Sequence, residues 1–167
     1  MILPDLNLLV YAYNADAPDH AAARDWWEAT LSAPRSVALP WAVSVGFLRL
    51  MTSRSTLVDP MSPAEAIGHI RSWLDRPQVV ILEPGPRHLD LLDELAKAAG
   101  KAGALTTDIH LAALAIEHAA ELHSNDGDFD RFPGLRWINP LVRSKAERSL
   151  PDQRSPAPAA SSEDEDD

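Results

Sequence analysis

TTDIHLAALAIEHAAELHSNDGDF (residues 106–129) is the stretch from which the fold can be read. Thr106 or Thr107 is the expected cap of a helix running through Ala120. Its apolar residues Ile109, Leu111, Ala112, Leu114, Ala115 and Ile116 fall on nearly every side. A helix apolar all round is buried, not laid on a surface. Glu121-Leu122-His123-Ser124 then reads as a short strand, and Asn125-Asp126-Gly127-Asp128 as a turn, because Asn, Asp and Gly are turn formers. A buried helix feeding a strand of about four residues belongs to a parallel sheet wrapped in helices.

Working outward, the rest of the chain repeats this alternation. Ile2-Leu3 is a short strand stopped at Pro4, and Asn7 to Tyr13 is a first helix. His20 to Leu31 is helical, with Ala22, Trp26, Ala29 and Thr30 at helical spacing. Ser36 to Leu39 is a second strand, again stopped by a proline, and Trp41 to Met51 is a largely apolar helix. Ser62-Pro63 is an N-cap and first-position pair for a helix to about Arg76. Val79 to Leu82, β-branched and short, reads as a buried strand. Arg87 to Ala99 is a helix stopped by Gly100 and Gly103, and Arg136 to Ile138 a fifth strand. The reading is an α/β fold with a short parallel sheet of four to five strands.

At 167 residues, 46% apolar and 24% charged, the chain suits one globular domain with a sizeable core. It has no apolar run near the ~20 residues of a membrane span and no signal-peptide pattern at its start. With no cysteine, disulfides and thiolate metal sites are excluded. These features fit a cytoplasmic protein. The net charge of −10 argues against broad attraction to nucleic acid, but its distribution matters. From Pro151 the chain reads PDQRSPAPAASSEDEDD. Without the six acids and one arginine of that segment, residues 1–150 carry −5. Residues 1–142 are therefore read as the domain and 143–167 as a polar extension, with a disordered, solubilising acidic tail from about 151. A second reading has the tail competing with an anionic ligand for a basic surface.

Ligands of such sheets bind beyond the carboxyl ends of the strands. Asp5 follows strand one, Asp126 and Asp128 follow strand four, and Asp108 sits in the first turn of the buried helix. Singly, each has an ordinary explanation: Asp108 as a cap, Asp126-Gly127-Asp128 as a tight turn, Asp5 as a turn or cap. Jointly, the topology brings them to one edge, where clustered carboxylates repel. A hard cation, Mg²⁺ or Mn²⁺, is the natural compensator because it takes oxygen ligands. Such an ion lowers the pKa of a bound water and lets an acidic pocket accept a phosphodiester.

PDLNLL near the start, residues 106–129, and FPGLRWINPL (132–141) together resemble the VapC toxins, PIN-domain ribonucleases of type II toxin–antitoxin pairs. The resemblance spans residues 1 to about 142. It implies a three-layer α/β/α sandwich and a Mg²⁺-dependent site in which Asp5, Asp108 and Asp126 hold the metal and carry catalysis. By position it makes Asn7 the polar residue that orients the site, Ser124 part of a Ser-x-Asp motif, Asp128 an outer acid and Arg49 a basic residue near the site. It further implies cleavage of tRNA or rRNA to 5′-phosphate and 3′-hydroxyl ends, a homodimer, and a VapB-like antitoxin. One departure stands out: many family members carry a glutamate where this chain has Gly46, leaving three matched acids instead of four and bearing on whether one or two metals bind.

Other readings are open. A haloacid-dehalogenase-like phosphatase also places an Asp after its first strand, but its chemistry wants a second Asp two residues on, where this chain has Asn7. A PIN domain that only binds RNA or a partner is the non-enzymatic alternative. Glu117-His118 suggests a zinc motif His-x-x-Glu-His, which fails because position 114 is Leu. His110 is a candidate substrate contact or a packing residue. Trp26 and Trp27 are a candidate partner-binding patch, with core packing expected of at least one, and Trp41 and Trp137 are read as core or rim.

Overall fold

The apolar residues next to the chain start form the centre of the sheet. In the computed structural model, which describes residues 1–100 and 103–142, strand β1 (Ile2–Pro4) lies between β2 (Val37–Ala38) and β4 (Glu121–His123). β3 (Val79–Val80) flanks β2 and β5 (Arg136–Ile138) flanks β4, giving the order β3-β2-β1-β4-β5 with every pairing parallel. Parallel neighbours need crossovers, and six helices supply them: α1 (Leu6–Tyr13), α2 (His20–Ser32), α3 (Trp41–Met51), α4 (Pro63–Leu74), α5 (His88–Ala99) and α6 (Thr106–Glu117). α1 packs on α2 and α3, and α3 on α4; α5 packs separately on α6. The expected α/β/α sandwich with a five-stranded parallel sheet is the observed architecture.

α6 is buried as its composition requires. Ile109, Leu111, Ala112, Ala113, Leu114 and Ala115 are all inaccessible or nearly so. Beneath the α1–α4 layer, Trp27, Phe47 and Trp73 are fully buried around half-buried Tyr13, with ring centroids 4.8–5.6 Å apart and mostly edge to face. The Trp73 indole N–H donates to the Tyr13 hydroxyl at 3.0 Å, which satisfies the polar ends of these two rings, while the buried Trp27 indole N–H has no hydrogen-bond partner among the described residues.

Several boundaries differ from the sequence reading, each for a local reason. Pro4 is the last residue of β1, not its stop. The chain remains paired past it, because the Asp5 N–H donates to the His123 carbonyl at 2.8 Å. β3 covers only Val79–Val80. As an edge strand it is covered on one side, and Val80 and Ile81 stay about 40% exposed. Neither Thr106 nor Thr107 caps α6. A 3₁₀ turn (Gly103–Leu105) leads into the helix, and the Thr106 hydroxyl donates back to the Gly103 carbonyl at 2.7 Å. Trp41 is half exposed, neither core nor rim, whereas Trp27 is buried and Trp26 partly so. The proposed extension 143–167 lies outside the described residues.

Candidate active site

Strand order creates the site. The chain steps from β1 outward to β2 and β3, then returns to the opposite side of β1 with β4, so the sheet reverses direction of growth between β1 and β4. Crevices at such reversals, beyond the carboxyl ends of the strands, receive ligands in open α/β sheets. The register Ile2↔Glu121, Leu3↔Leu122, Pro4↔His123 sets Asp5 beside Ser124, the first residues past their strands.

Asp5 is 5% exposed. Its carboxylate accepts a hydrogen bond from the Ser124 hydroxyl at 2.7 Å, and Ser124, itself fully buried, accepts from the Asp126 N–H at 3.0 Å. Asp126 in turn accepts from the Asp128 N–H at 2.8 Å. That last bond makes Asp126 the cap of a 3₁₀ helix (Gly127–Arg131), where the sequence suggested a plain turn. Side chain–backbone bonds spaced by two residues favour this tight geometry over an open loop. Asp108 joins from the first turn of α6.

Burial comes first in the electrostatics, and like charge second. Burial pushes the Asp5 carboxyl above its usual range and the Asp126 charge adds to this, while Ser124 and the Leu6 and Asn7 amides pull it partly back. Asp108 rises further, to about 6, first through burial and then through Asp5, Asp126 and Asp128; Arg131 opposes the rise. Four acids from three segments therefore share one field. Among the described residues, however, no three His, Cys, Asp or Glu side chains stand in an arrangement that already encloses an ion. The donors are all carboxylate or hydroxyl oxygens, and the buried, mutually repelling charges are those that a hard divalent cation would relieve. In donor chemistry and charge the residues fit Mg²⁺ or Mn²⁺.

The other residues singled out from sequence divide. Asn7 is half-buried in the first turn of α1, beside Asp5, and its side chain makes no hydrogen bond among the described residues. Arg49 stands exposed in the last turn of α3, with no ion pair to the acids. Asp128 is bound to Arg131, whose Nε donates to the Asp128 carbonyl at 2.9 Å and whose terminal nitrogen pairs with its carboxylate. Sequence reasoning missed Arg131, although its i,i+3 spacing from Asp128 is the available signal. Gly46 is buried against α1, and a Cβ there would lie 2.6 Å from Leu6 Cδ2. Leu6, the neighbour of Asp5, thus fills space beside the position where the fourth acid is missing.

Glu117 has a structural post. It accepts the Gly85 and Arg87 N–H groups, both at 2.9 Å, and lies 3.4 Å from His88, whose ring meets His110 at 2.9 Å. His110 therefore turns toward α5.

The comparisons agree with this fold. The PIN domain model matches residues 2–135. The chain is 45% identical to ribonuclease VapC33 of Mycobacterium tuberculosis over 141 residues, 84% of this chain and 99% of that one. It is 36% identical to ribonuclease VapC37 of the same organism, covering 84% and 97%. Among solved structures, VapBC2 of Rickettsia felis, bound to a DNA fragment from its promoter, aligns with a TM-score of 0.62 at 20% identity, covering 83% of this chain and 98% of that one. M. tuberculosis VapC20, a sarcin–ricin loop cleaving toxin, aligns at 0.55 and 20% identity, covering 81% and 99%. With a parallel sheet that converges Asp5, Asp108 and Asp126, and relatives matched along nearly their whole length, this chain belongs to the VapC ribonucleases of the PIN-domain family.

Proposed function

We propose that the chain is a divalent-metal-dependent endoribonuclease, the toxin of a type II toxin–antitoxin pair. The observation that carries this reading is the hydrogen-bonded run Asp5–Ser124–Asp126 at the sheet reversal, with Asp108 raised by the same acids. Asp5, Asp108 and Asp126 are assigned as the residues that hold Mg²⁺ or Mn²⁺. When bound, such an ion supplies Lewis acidity toward a phosphodiester and a lowered pKa for water. Ser124 fixes the Asp5 carboxylate through its 2.7 Å bond, so that acid meets its ligand in one orientation. The Asp126 cap fixes the 3₁₀ helix and keeps Asp128 engaged with Arg131. Asp108, raised to about 6 and opposed only in part by the Arg131 charge, is a member whose charge state depends on what occupies the site.

RNA is the substrate class supported by the relatives named ribonucleases, and a structured RNA such as tRNA or rRNA fits that class. A VapB-like antitoxin and a homodimer are the partners assigned, in keeping with fold neighbours solved as VapBC assemblies. No helix of the described residues is long and apolar enough to cross a membrane. The cytoplasm is the compartment we assign, in keeping with RNA as the proposed substrate. Brief expression followed by mapping of RNA ends tests the function: new 5′-phosphate ends at one or a few sites are expected. An unchanged end profile in cells whose growth the protein arrests would count against it. A binding-only PIN domain is the second reading, favoured by Gly46 and by the lack of a ready-made ion cage among the described residues.

A further inference from the structure

The hydrogen-bond run from Asp5 does not stop at the acids. It passes through Ser124, Asp126 and Asp128 and ends on Arg131, at the C-terminus of the 3₁₀ helix capped by Asp126. We propose that Arg131 is the RNA-phosphate-binding residue of this site and that Asp128 is its positioning residue, not a metal-binding acid; this rests on the ribonuclease reading above.

The reasoning begins with charge. A phosphodiester entering a field of Asp5, Asp108, Asp126 and Asp128 meets repulsion from every side. The Arg131 charge opposes the rise of the Asp108 carboxyl, so it reaches the centre of the cluster. Arg49, the sequence candidate for this task, makes no hydrogen bond or ion pair to any of the four acids.

Geometry then separates anchor from free end. Arg131 spends two N–H donors on Asp128: Nε on the backbone carbonyl, one terminal N–H on the carboxylate. A guanidinium has five, so three are without a partner among the described residues. Its side chain is 34% exposed, enough to meet a ligand, while the double anchor removes much of the rotamer freedom that binding would otherwise cost. A planar fork with free donors in a fixed pose is suited to phosphate oxygens. The Asp128 charge is spent on this pair, which removes it from the ligand set.

The test uses the full chain. RNA binding is measured on the inactive Asp5→Asn background with a labelled pool of random-sequence single-stranded RNA, across a salt series. Cleavage of total RNA is measured on the otherwise unaltered protein. Arg131→Ala is expected to weaken binding about tenfold at low salt and to reduce the salt slope by about one phosphate contact. In cleavage it should raise KM more than it lowers kcat. Arg131→Lys should restore part of the affinity, because it returns the charge without the fork, and Asp128→Asn should weaken binding less than Arg131→Ala. A merely structural role for Arg131 predicts an unchanged salt slope and no rescue by lysine. Unchanged binding and slope in Arg131→Ala, in a protein that cuts RNA, overturns the phosphate assignment and leaves the ribonuclease reading intact. RNA binding that depends on Arg131 in a protein that cuts nothing overturns catalysis and keeps the assignment. A protein that neither binds nor cuts RNA overturns both.

Discussion

Asp108 shows how the site holds charge at the scale of a single residue. Its carboxyl, at 3.8 in an unstructured chain, titrates near 6 in the fold because burial and three neighbouring acids disfavour the ionised form. Between those values the native protein keeps a proton that the unfolded chain has released. Native stability is therefore greatest below about pH 4 as far as this group is concerned, and falls as pH rises through about 6. In chelator, Asp108→Asn is expected to flatten that slope and to stabilise the fold at neutral pH by about 1–2 kcal/mol once solvent screening is allowed for. Thermal melts against pH check this, and an identical slope in the variant would assign the titration elsewhere. Asp5 was readable because a carboxylate stood between two apolar runs at the end of a strand. Arg131 was not, because its role depends on an Asp126 cap that turns a loop into a 3₁₀ helix, and hydroxyl and amide spacing alone do not distinguish the two.

Elements were legible where local chemistry sets the boundary. Ser62-Pro63 announced α4, and the structure forms the full capping box: Ser62 accepts the Glu65 N–H at 3.2 Å while Glu65 accepts the Ser62 N–H at 2.8 Å. The apolar run of α6 announced burial. The run at Val79–Leu82 misled, because β-branched composition gives strand preference but not the number of faces covered. Two helical glycines separate intrinsic preference from packing. Gly68 in α4 has open space around a would-be Cβ, so Gly68→Ala is expected to stabilise by about 1 kcal/mol. Gly46→Ala in α3 has to displace the Leu6 methyl beside Asp5, and its overlap offsets the same helical gain. Equal stabilisation of both variants in denaturant melts would show that Leu6 yields freely and does not restrict the missing fourth acid's place.

Across the whole molecule, the order β3-β2-β1-β4-β5 turns acids separated by more than a hundred residues into one site. Alternating short strands and helices made the class of fold readable, and the resemblance to VapC toxins added the layers. The register β1–β4, which seats Asp5 against Ser124, emerges only when both strands are paired. The five strands and six helices of the described residues form the whole sheet and both helix layers, and the VapC33 match spans 141 residues, so truncation after Val142 is expected to leave Tm and RNA cleavage unchanged. A large drop in Tm would instead make the extension part of the folded unit. The central claim, that Asp5 with Asp108 and Asp126 holds the divalent ion on which RNA cleavage depends, is tested most directly by single-turnover cleavage in Mg²⁺ with wild type and Asp5→Asn compared side by side. The expected result is cleavage by wild type, abolished by chelator and reduced at least about a hundredfold in the variant. Cleavage by Asp5→Asn at the wild-type rate would contradict it.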